Sequence, residues 1–244
     1  MVVEATARDL RDMFELIRKK YTFDDFPEKE LNVWGRKDTL DFALLDNVKE
    51  YDFKSINYHY GDTIIDIGAY TGQEMLWFAA QGINLVYYAF EPIIENFRIL
   101  DMNIKENNKC LDIDWADNAI GDGIGKTDIY IGGEGEGKWR NLYKYMGNIK
   151  PPFRDPKSKR TVFQITLNYI FSSQKIKKCK LVKMDCEGAE LKILKCTPKE
   201  DLDKIQYIIG EYHEGISVND LLKACKGRFK NTIDDSHLFR FKHK

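Results

Sequence analysis

The chain has 244 residues and a formal net charge of −1; 43% of its residues are hydrophobic and 32% are charged. This length suits one large domain, or a domain with an appendage, and the composition is typical of soluble globular proteins. The near-neutral charge gives no general reason to expect a nucleic-acid or membrane surface as partner.

The cysteines and the first residues bear on the location of the protein. Five cysteines are scattered along the chain without a Cys-x-x-Cys pair, so neither a zinc site nor a disulfide framework is indicated. No apolar segment approaches the roughly 20 residues that a membrane helix needs, and the charged N-terminus does not resemble a signal peptide. We therefore expect reduced thiols and a cytoplasmic protein.

Residues 1–60 have a helical pattern interrupted by turns. Leu10, Phe14 and Ile17 form a short apolar stripe, and residues 38–48 predict a further helix. We therefore expect an N-terminal helical cap over residues 1–60, followed by a second domain over residues 61–244.

From residue 62 onward, strands alternate with helices, which indicates an α/β fold with a mostly parallel sheet and helices on both faces. Strands are predicted at residues 62–67, 84–90, 112–120, 180–185 and 205–211, with weaker ones at 126–131, 228–233 and 238–242. The last two flank a turn and predict an antiparallel hairpin. We expect seven strands in the sheet.

The turn after the first of these strands is the most informative motif. Asp66 ends an apolar run, Gly68 and Gly72 follow, and a helix begins near Glu74. Glycines there let a ligand approach the backbone, and the free N–H groups of the helix can bind it. The Asp66 carboxylate disfavours phosphate and favours a cationic ligand such as S-adenosylmethionine. An ordinary tight turn of an α/β protein is the alternative.

Glu91 follows the next predicted strand and precedes Pro92. Ligands of open α/β sheets bind just beyond the carboxyl ends of the strands, and an acidic residue about 20 positions after a glycine turn commonly binds ribose hydroxyls. Glu91 lies 19 positions after Gly72. The spacing predicts a ribose-binding carboxylate, with helix capping as the alternative.

Residues 132–160 interrupt the alternation of strands and helices. Residues 132–137 are rich in glycine, and residues 138–160 carry eight basic side chains, Lys157, Lys159 and Arg160 among them, against one acidic side chain. Long irregular connections in compact domains are usually functional or disordered. This basic, glycine-hinged insert predicts a lid over a phosphorylated or otherwise anionic acceptor, with a solvated loop as the alternative.

Polar side chains crowd the ends of two further predicted strands. Asp185, Glu187 and Glu190 lie at the end of the strand predicted at 180–185, and Glu211 and His213 at the end of the strand at 205–211. Clustered carboxylates need partners, which could be a cation, a metal, substrate hydroxyls or a helix N-terminus. His213 is either structural or catalytic.

Six motifs recur in an order that resembles a known family. They are Asp-Ile-Gly-Ala-Tyr-Thr-Gly at 66–72, Phe-Glu-Pro at 90–92, Asn-Ala-Ile-Gly-Asp at 118–122, Thr-Leu at 166–167, Val-Lys-Met-Asp-Cys-Glu-Gly-Ala-Glu-Leu at 182–191 and Glu-Tyr-His at 211–213. The series resembles the FkbM-type S-adenosylmethionine-dependent methyltransferases, which modify hydroxyl oxygens, often on sugars and glycoconjugates. The resemblance spans about residues 60–215 and implies a class I, Rossmann-like methyltransferase domain.

Carried over residue by residue, the resemblance implies a role for each matching position. The methionine part of the cofactor would be lined by Asp66, Gly68, Ala69, Tyr70 and Gly72. Glu91 would hold the ribose, and Asn118 and Ala119 would border the adenine.

The acceptor side follows from the later motifs. Asp185, which we also count with the cofactor residues, would face the acceptor with Glu187 and His213. Asn168 departs from the family, which usually carries an acidic residue after Thr-Leu, and this change implies a different acceptor preference.

The reaction implied is attack of an acceptor hydroxyl on the sulfonium methyl group, for which an enzyme supplies proximity and a base. His213 is the first candidate for the base and Asp185 the second. A divalent cation held by Asp185 and Glu211 would acidify the hydroxyl instead. The expected acceptor is a small molecule or a glycan.

Two other functions stay open. RNA methylation would use the basic insert to grip phosphates. Against it, no base-flipping motif is present and the rest of the chain is acidic. The other is a non-catalytic binding module built on the same fold.

Overall fold

The computed structural model describes residues 15–131, 147–148, 159–213, 215–233 and 235–244. Two of the predicted features lie largely outside these ranges. Leu10 and Phe14 of the N-terminal stripe, and the basic insert apart from residues 147–148 and 159–160, lie outside the described residues.

Strands make up much of the described chain. They are β1 (Leu16–Tyr21), β2 (Leu31–Arg36), β3 (Thr63–Ile67), β4 (Leu85–Phe90), β5 (Leu111–Ala116), β6 (Ala119–Gly121), β7 (Gly125–Ile131), β8 (Gly147–Asn148), β9 (Lys159–Thr166), β10 (Cys179–Met184), β11 (Ile205–Glu211), β12 (Phe229–Asn231) and β13 (Leu238–His243).

The helices are short, except for one of 14 residues. They are α1 (Leu44–Asn47), α2 (Gln73–Gln81), α3 (Ile94–Asn107), α4 (Leu167–Ser173), α5 (Glu190–Cys196), α6 (Lys199–Leu202) and α7 (Val218–Ala224), with 3₁₀ turns at Val48–Tyr51 and Phe53–Ser55. In the described part of the chain, none is long and apolar enough to cross a membrane.

A seven-stranded mixed sheet organises the fold. Its strand order is β12-β13-β11-β10-β3-β4-β5. The five strands from β11 to β5 are parallel, whereas β13 pairs antiparallel with both β11 and β12. The predicted α/β class is therefore confirmed, and the sheet is mixed because its last two strands form a hairpin, which only antiparallel strands can do through a short turn.

Helices cover both faces of this sheet. Successive side chains of a strand point to opposite faces. Ile64 of β3 accordingly packs in one core with α2 and α3, whereas Ile65 and Ile67 pack in a second core with α4, α5 and α7. The buried strands lack polar alternation because both of their faces are covered.

The predicted N-terminal helical cap is wrong over residues 16–36, which form an antiparallel hairpin of β1 and β2. The side-chain amide of Asn103 on α3 accepts a hydrogen bond from Trp34 N–H at 2.7 Å and donates one to Trp34 C=O at 3.0 Å. The amide thereby satisfies backbone groups at the edge of β2 that a neighbouring strand would otherwise bind. The local pattern could not show a contact made 69 positions along the chain.

A second sheet, with strand order β6-β9-β7-β8, corrects two further predictions. The strand expected at 112–120 is broken into β5 and β6, which belong to different sheets. β9 occupies residues 159–166, where no strand was predicted, and pairs with β6 and β7. Its first three residues are polar and exposed, so the sequence lacks the apolar alternation of a half-buried strand there.

Phe53 ties the N-terminal segment to the main core. It is 1% exposed, and its ring centroid lies 5.6 Å from that of Trp77 and 5.3 Å from that of Phe78. Residues 15–60 therefore share one apolar core with α2 rather than forming a cap of their own.

We expect Phe53→Ala to lower the free energy of unfolding by about 3–5 kcal/mol, because it opens a cavity in that core. Tyr60, which is 82% exposed, provides the matched control, and Tyr60→Ala should stay within about 0.5 kcal/mol of the wild type. Urea denaturation followed by fluorescence and by circular dichroism measures both. Separate unfolding of the N-terminal segment, with an unchanged main transition, would contradict the shared core.

Candidate active site

A cavity of about 260 Å³ opens at the carboxyl ends of β3, β4, β10 and β11. Strand-end residues form its floor, the N-terminal segment around Tyr51 forms one wall, and β7 and β9 of the second sheet form another. This is the edge of an open α/β sheet at which ligands bind.

The glycine turn after β3 borders the cavity through Gly68. Its φ is +79°, and a Cβ atom there would lie 1.9 Å from the carbonyl oxygen of Asp185. The N–H groups of Gly68 and Ala69 both donate to the carbonyl of Phe90. Only glycine combines this backbone angle with such close approach, so the turn locks the ends of three strands together.

A buried lysine lies beneath the turn. Lys183 of β10 is 2% exposed, and its Nζ donates to the carbonyl of Gly68 at 2.9 Å. The same ammonium lies 3.4 Å from Asp66 and 3.3 Å from Glu74. Burial raises the pKa of Asp66, and it raises the pKa of Glu74 to about 7, while the lysine charge opposes both shifts. Asp66 is thus engaged under the turn, where Tyr87 also donates to it.

Glu91 follows β4 and is 4% exposed. Its carboxylate accepts hydrogen bonds from Tyr70 N–H at 3.0 Å, Ile93 N–H at 2.9 Å and the Asn96 amide at 3.2 Å. Burial raises the pKa of Glu91 to about 7, although these three donors favour the ionised form. A carboxylate offers about four acceptor positions, so one remains for a ligand hydroxyl in the cavity.

Asp185 follows β10 and lines the cavity. Tyr51 donates its hydroxyl to Oδ2 of Asp185 at 3.1 Å. The other oxygen, Oδ1, is buried, lies 3.7 Å from Nε2 of His213 and has no hydrogen-bond partner among the described residues. Buried polar atoms are rarely left unpaired, so this oxygen is a candidate for contact with a ligand.

His213 lies among four carboxylates. Its Nδ1 is 3.1 Å from Glu190, and its Nε2 is 3.4 Å from Glu187, 3.7 Å from Asp185 and 3.8 Å from Glu211. Burial alone would lower the pKa of His213, but the hydrogen bond with Glu190 and the other carboxylates raise it to about 9. Burial and the neighbouring Asp185 raise the pKa of Glu187 to about 8.

A model of the FkbM methyltransferase domain matches residues 66–228, about two thirds of the chain. The chain belongs to the FkbM methyltransferase family. The expected resemblance is confirmed. No curated protein matches the chain.

One solved structure supports the class I, Rossmann-like fold, and others are similar over much of the chain. The 16S rRNA methyltransferase RsmC of T. thermophilus, solved with AdoMet and guanosine, is similar at 8% identity and a TM-score of 0.50, over 94% of this chain and 51% of that chain. A tRNA methyltransferase of Pyrococcus abyssi gives 12% identity and a TM-score of 0.44, over 92% and 43%. WbdD gives 11% and 0.43, over 82% and 41%. The chain thus spans about half of those chains or less.

The structure brings most of the predicted site residues to the cavity. Those that line it are Gly68, Tyr70, Glu91, Asn118, Ala119, Asp185, Glu187 and Glu211. The other four, Asp66, Ala69, Gly72 and His213, are not among the lining residues. Asn168, the departure from the family pattern, donates to Asp201 at 2.6 Å and does not line the cavity.

Several lining residues were not predicted. Those from the N-terminal segment are Leu44, Asn47, Val48, Glu50 and Tyr51, and those from the second sheet are Thr127, Asp128, Ile129 and Gln164. No local pattern marks them, because their role depends on how distant segments pack. Lys183 did carry a signal, since a lone charge in an apolar strand needs buried partners.

The side chains that line the cavity fit S-adenosylmethionine. Carboxylates at Glu91 and Asp185 suit its ribose and its cationic methionine part. The apolar side chains of Ile93, Ile120 and Ile129 suit the flat adenine ring.

We expect Gly68→Ala to weaken binding of S-adenosylhomocysteine by at least about tenfold, which corresponds to ~1.4 kcal/mol, because the new Cβ displaces the Asp185 backbone. Gly227→Ala is the matched control, since Gly227 has a φ of +77° but nothing within 4 Å of an added Cβ. Calorimetric titration compares the two, with circular dichroism as the check on folding. Equal affinities in the two variants would show that the close approach at Gly68 is unimportant.

Proposed function

We propose that this methyltransferase transfers the methyl group of S-adenosylmethionine to a hydroxyl oxygen of a sugar, nucleotide sugar or glycoconjugate. The observation that carries the proposal is the Asp185 carboxylate. It lines the cavity, and its buried Oδ1 has no hydrogen-bond partner among the described residues. An oxygen of this kind is suited to receive the proton of an acceptor hydroxyl.

The carboxylates around the cavity favour a hydroxyl-rich acceptor over nucleic acid. Glu50, Asp185, Glu187 and Glu211 all line it. Carboxylates accept hydrogen bonds from sugar hydroxyls, whereas they repel the phosphates of RNA.

The basic insert gives limited support to an anionic acceptor. Lys159 lies 2.8 Å from Asp128, and Arg160 lies 2.6 Å from Glu95, so both of these charges are paired within the domain. The remaining basic residues of the insert lie outside the described part of the chain. A phosphorylated acceptor is therefore kept as one outcome of the acceptor screen.

In the proposed mechanism, bound S-adenosylmethionine supplies an electrophilic methyl group. Glu91 holds the ribose, and the neighbouring cavity wall orients the acceptor, which supplies the proximity that such displacements need. Asp185 accepts the hydroxyl proton. His213 has carboxylates at both ring nitrogens, so the base role first predicted for it passes to Asp185, and His213 offsets part of the surrounding negative charge.

A bound divalent cation is the second candidate for activating the hydroxyl. Asp185, Glu211 and His213 can each offer one ligand atom, and these atoms all lie within 4.8 Å of one another. Oxygen and imidazole ligands suit several divalent metals. Such an ion would lower the pKa of the acceptor hydroxyl directly.

Asp185→Asn should lower turnover by about 10²–10⁴-fold, the usual contribution of a positioned base. Asp101→Asn, which removes a surface partner of Lys105, is the control and should leave turnover unchanged. Turnover is measured as transfer of labelled methyl groups to a panel of sugars, nucleotide sugars, glycolipids and RNA. Transfer to RNA alone would contradict the proposed acceptor class.

Chelation distinguishes the two ways of activating the hydroxyl. If Asp185 acts as the base without a metal, treatment with EDTA leaves turnover unchanged. Loss of turnover in EDTA with recovery in Mg²⁺ or Mn²⁺ would assign the cluster to a cation.

The affinity for S-adenosylhomocysteine should rise with pH through about 7, the pKa of Glu91. Ionised Glu91 accepts a ribose hydroxyl as a charge-assisted hydrogen bond, so the loss on protonation should be about tenfold. Glu91→Gln should bind about tenfold more weakly at pH 8 and lose this pH dependence. Calorimetry between pH 6 and 8 measures both proteins. An unchanged pH profile in the variant would assign the titration to another group.

A further inference from the structure

The segment before residue 66 lies outside the family match, yet five of its residues line the cavity. Arg36 and Asp41 are 1% and 2% exposed and form a two-pronged ion pair, with Nε–Oδ2 and Nη2–Oδ1 distances of 2.9 and 2.8 Å. Paired in this geometry, a guanidinium and a carboxylate hold one fixed orientation.

This ion pair holds the side chain of Tyr70. The Tyr70 hydroxyl donates to Asp41 Oδ1 at 2.9 Å and accepts from Arg36 Nη2 at 3.1 Å. Gln73, at the start of α2, donates to the backbone carbonyl of Asp41 at 3.0 Å. This is a second hydrogen bond between the segment around Asp41 and the region of the glycine turn. We call Arg36, Asp41 and the Tyr70 side chain the N-terminal brace.

The backbone of Tyr70 is strained. Its φ is +48°, which a residue with a side chain rarely adopts. Such a conformation persists only where the surroundings hold it in place. The N-terminal brace provides that constraint at the far end of the side chain.

The backbone conformation of Tyr70 directs its N–H group toward the carboxylate of Glu91. Tyr70 N–H donates to Glu91 Oε2 at 3.0 Å, while Ile93 and Asn96 hold the other oxygen. The Oε2 contact therefore decides how the carboxylate is turned relative to the cavity.

We propose that Tyr70 is a positioning residue for Glu91, and that the segment outside the family domain contributes to cofactor binding through the N-terminal brace. The proposal rests on the proposed function, in which Glu91 binds the ribose. The brace acts through the orientation of a hydrogen-bond acceptor.

Tyr70→Phe tests the proposal, because it removes the hydroxyl and leaves the Arg36–Asp41 ion pair intact. The affinity for S-adenosylhomocysteine should fall about threefold to tenfold, the effect of one lost hydrogen bond. Tyr21→Phe is the matched control: it removes a hydroxyl that donates to Asp46 in the same N-terminal segment, away from the cavity, and should leave the affinity unchanged.

A double-mutant cycle separates positioning from general loosening of the fold. In a Glu91→Ala background, Tyr70→Phe should have little further effect, because the side chain that Tyr70 positions is gone. Additive losses, or full affinity in Tyr70→Phe, would overturn the proposal while leaving the proposed function intact. A wild-type protein that bound no S-adenosylhomocysteine would overturn both.

Discussion

The structure depends on one buried ammonium group. Lys183 belongs to β10, in the middle of the sheet, and is 2% exposed. Its Nζ contacts the carbonyl of Gly68 and lies within 3.4 Å of Asp66 and Glu74. These groups belong to β3, to the glycine turn and to α2. Removing one partner of a buried ion pair typically costs about 3–5 kcal/mol, so one side chain fixes the geometry of the strand end, the turn and the helix start together.

That arrangement explains why Asp66 takes no direct part in lining the cavity. The carboxylate at the end of β3 is fully buried and is occupied by Lys183 and by the hydroxyl of Tyr87. The residues that reach the cavity are Glu91 and Asp185, each placed just beyond the end of its strand. The first carboxylate thus holds the turn in shape, and the later two line the cavity.

The sequence allowed the α/β class, the strand-end motifs and most of the cavity floor to be predicted, because strand alternation and turn glycines are local signals. The strands at residues 63–67 and 205–211 lie at or near the predicted bounds. The helical cap could not be corrected from sequence, since β2 is stabilised by Asn103 and Asn107 of α3. β9 was missed because it is stabilised by pairing with β6 and β7, and its own sequence lacks the apolar alternation by which a strand is predicted.

The chemistry of the site follows from a surplus of negative charge. Lys183 lies between two carboxylates, and His213 lies among four. Neither cation neutralises all of the carboxylates around it. Burial raises the pKa of Glu74, Glu91 and Glu187 to between about 7 and about 8. Part of the surplus is therefore relieved by bound protons near neutral pH. A ligand with positive charge can relieve it instead, and a sulfonium cofactor is a ligand of this kind.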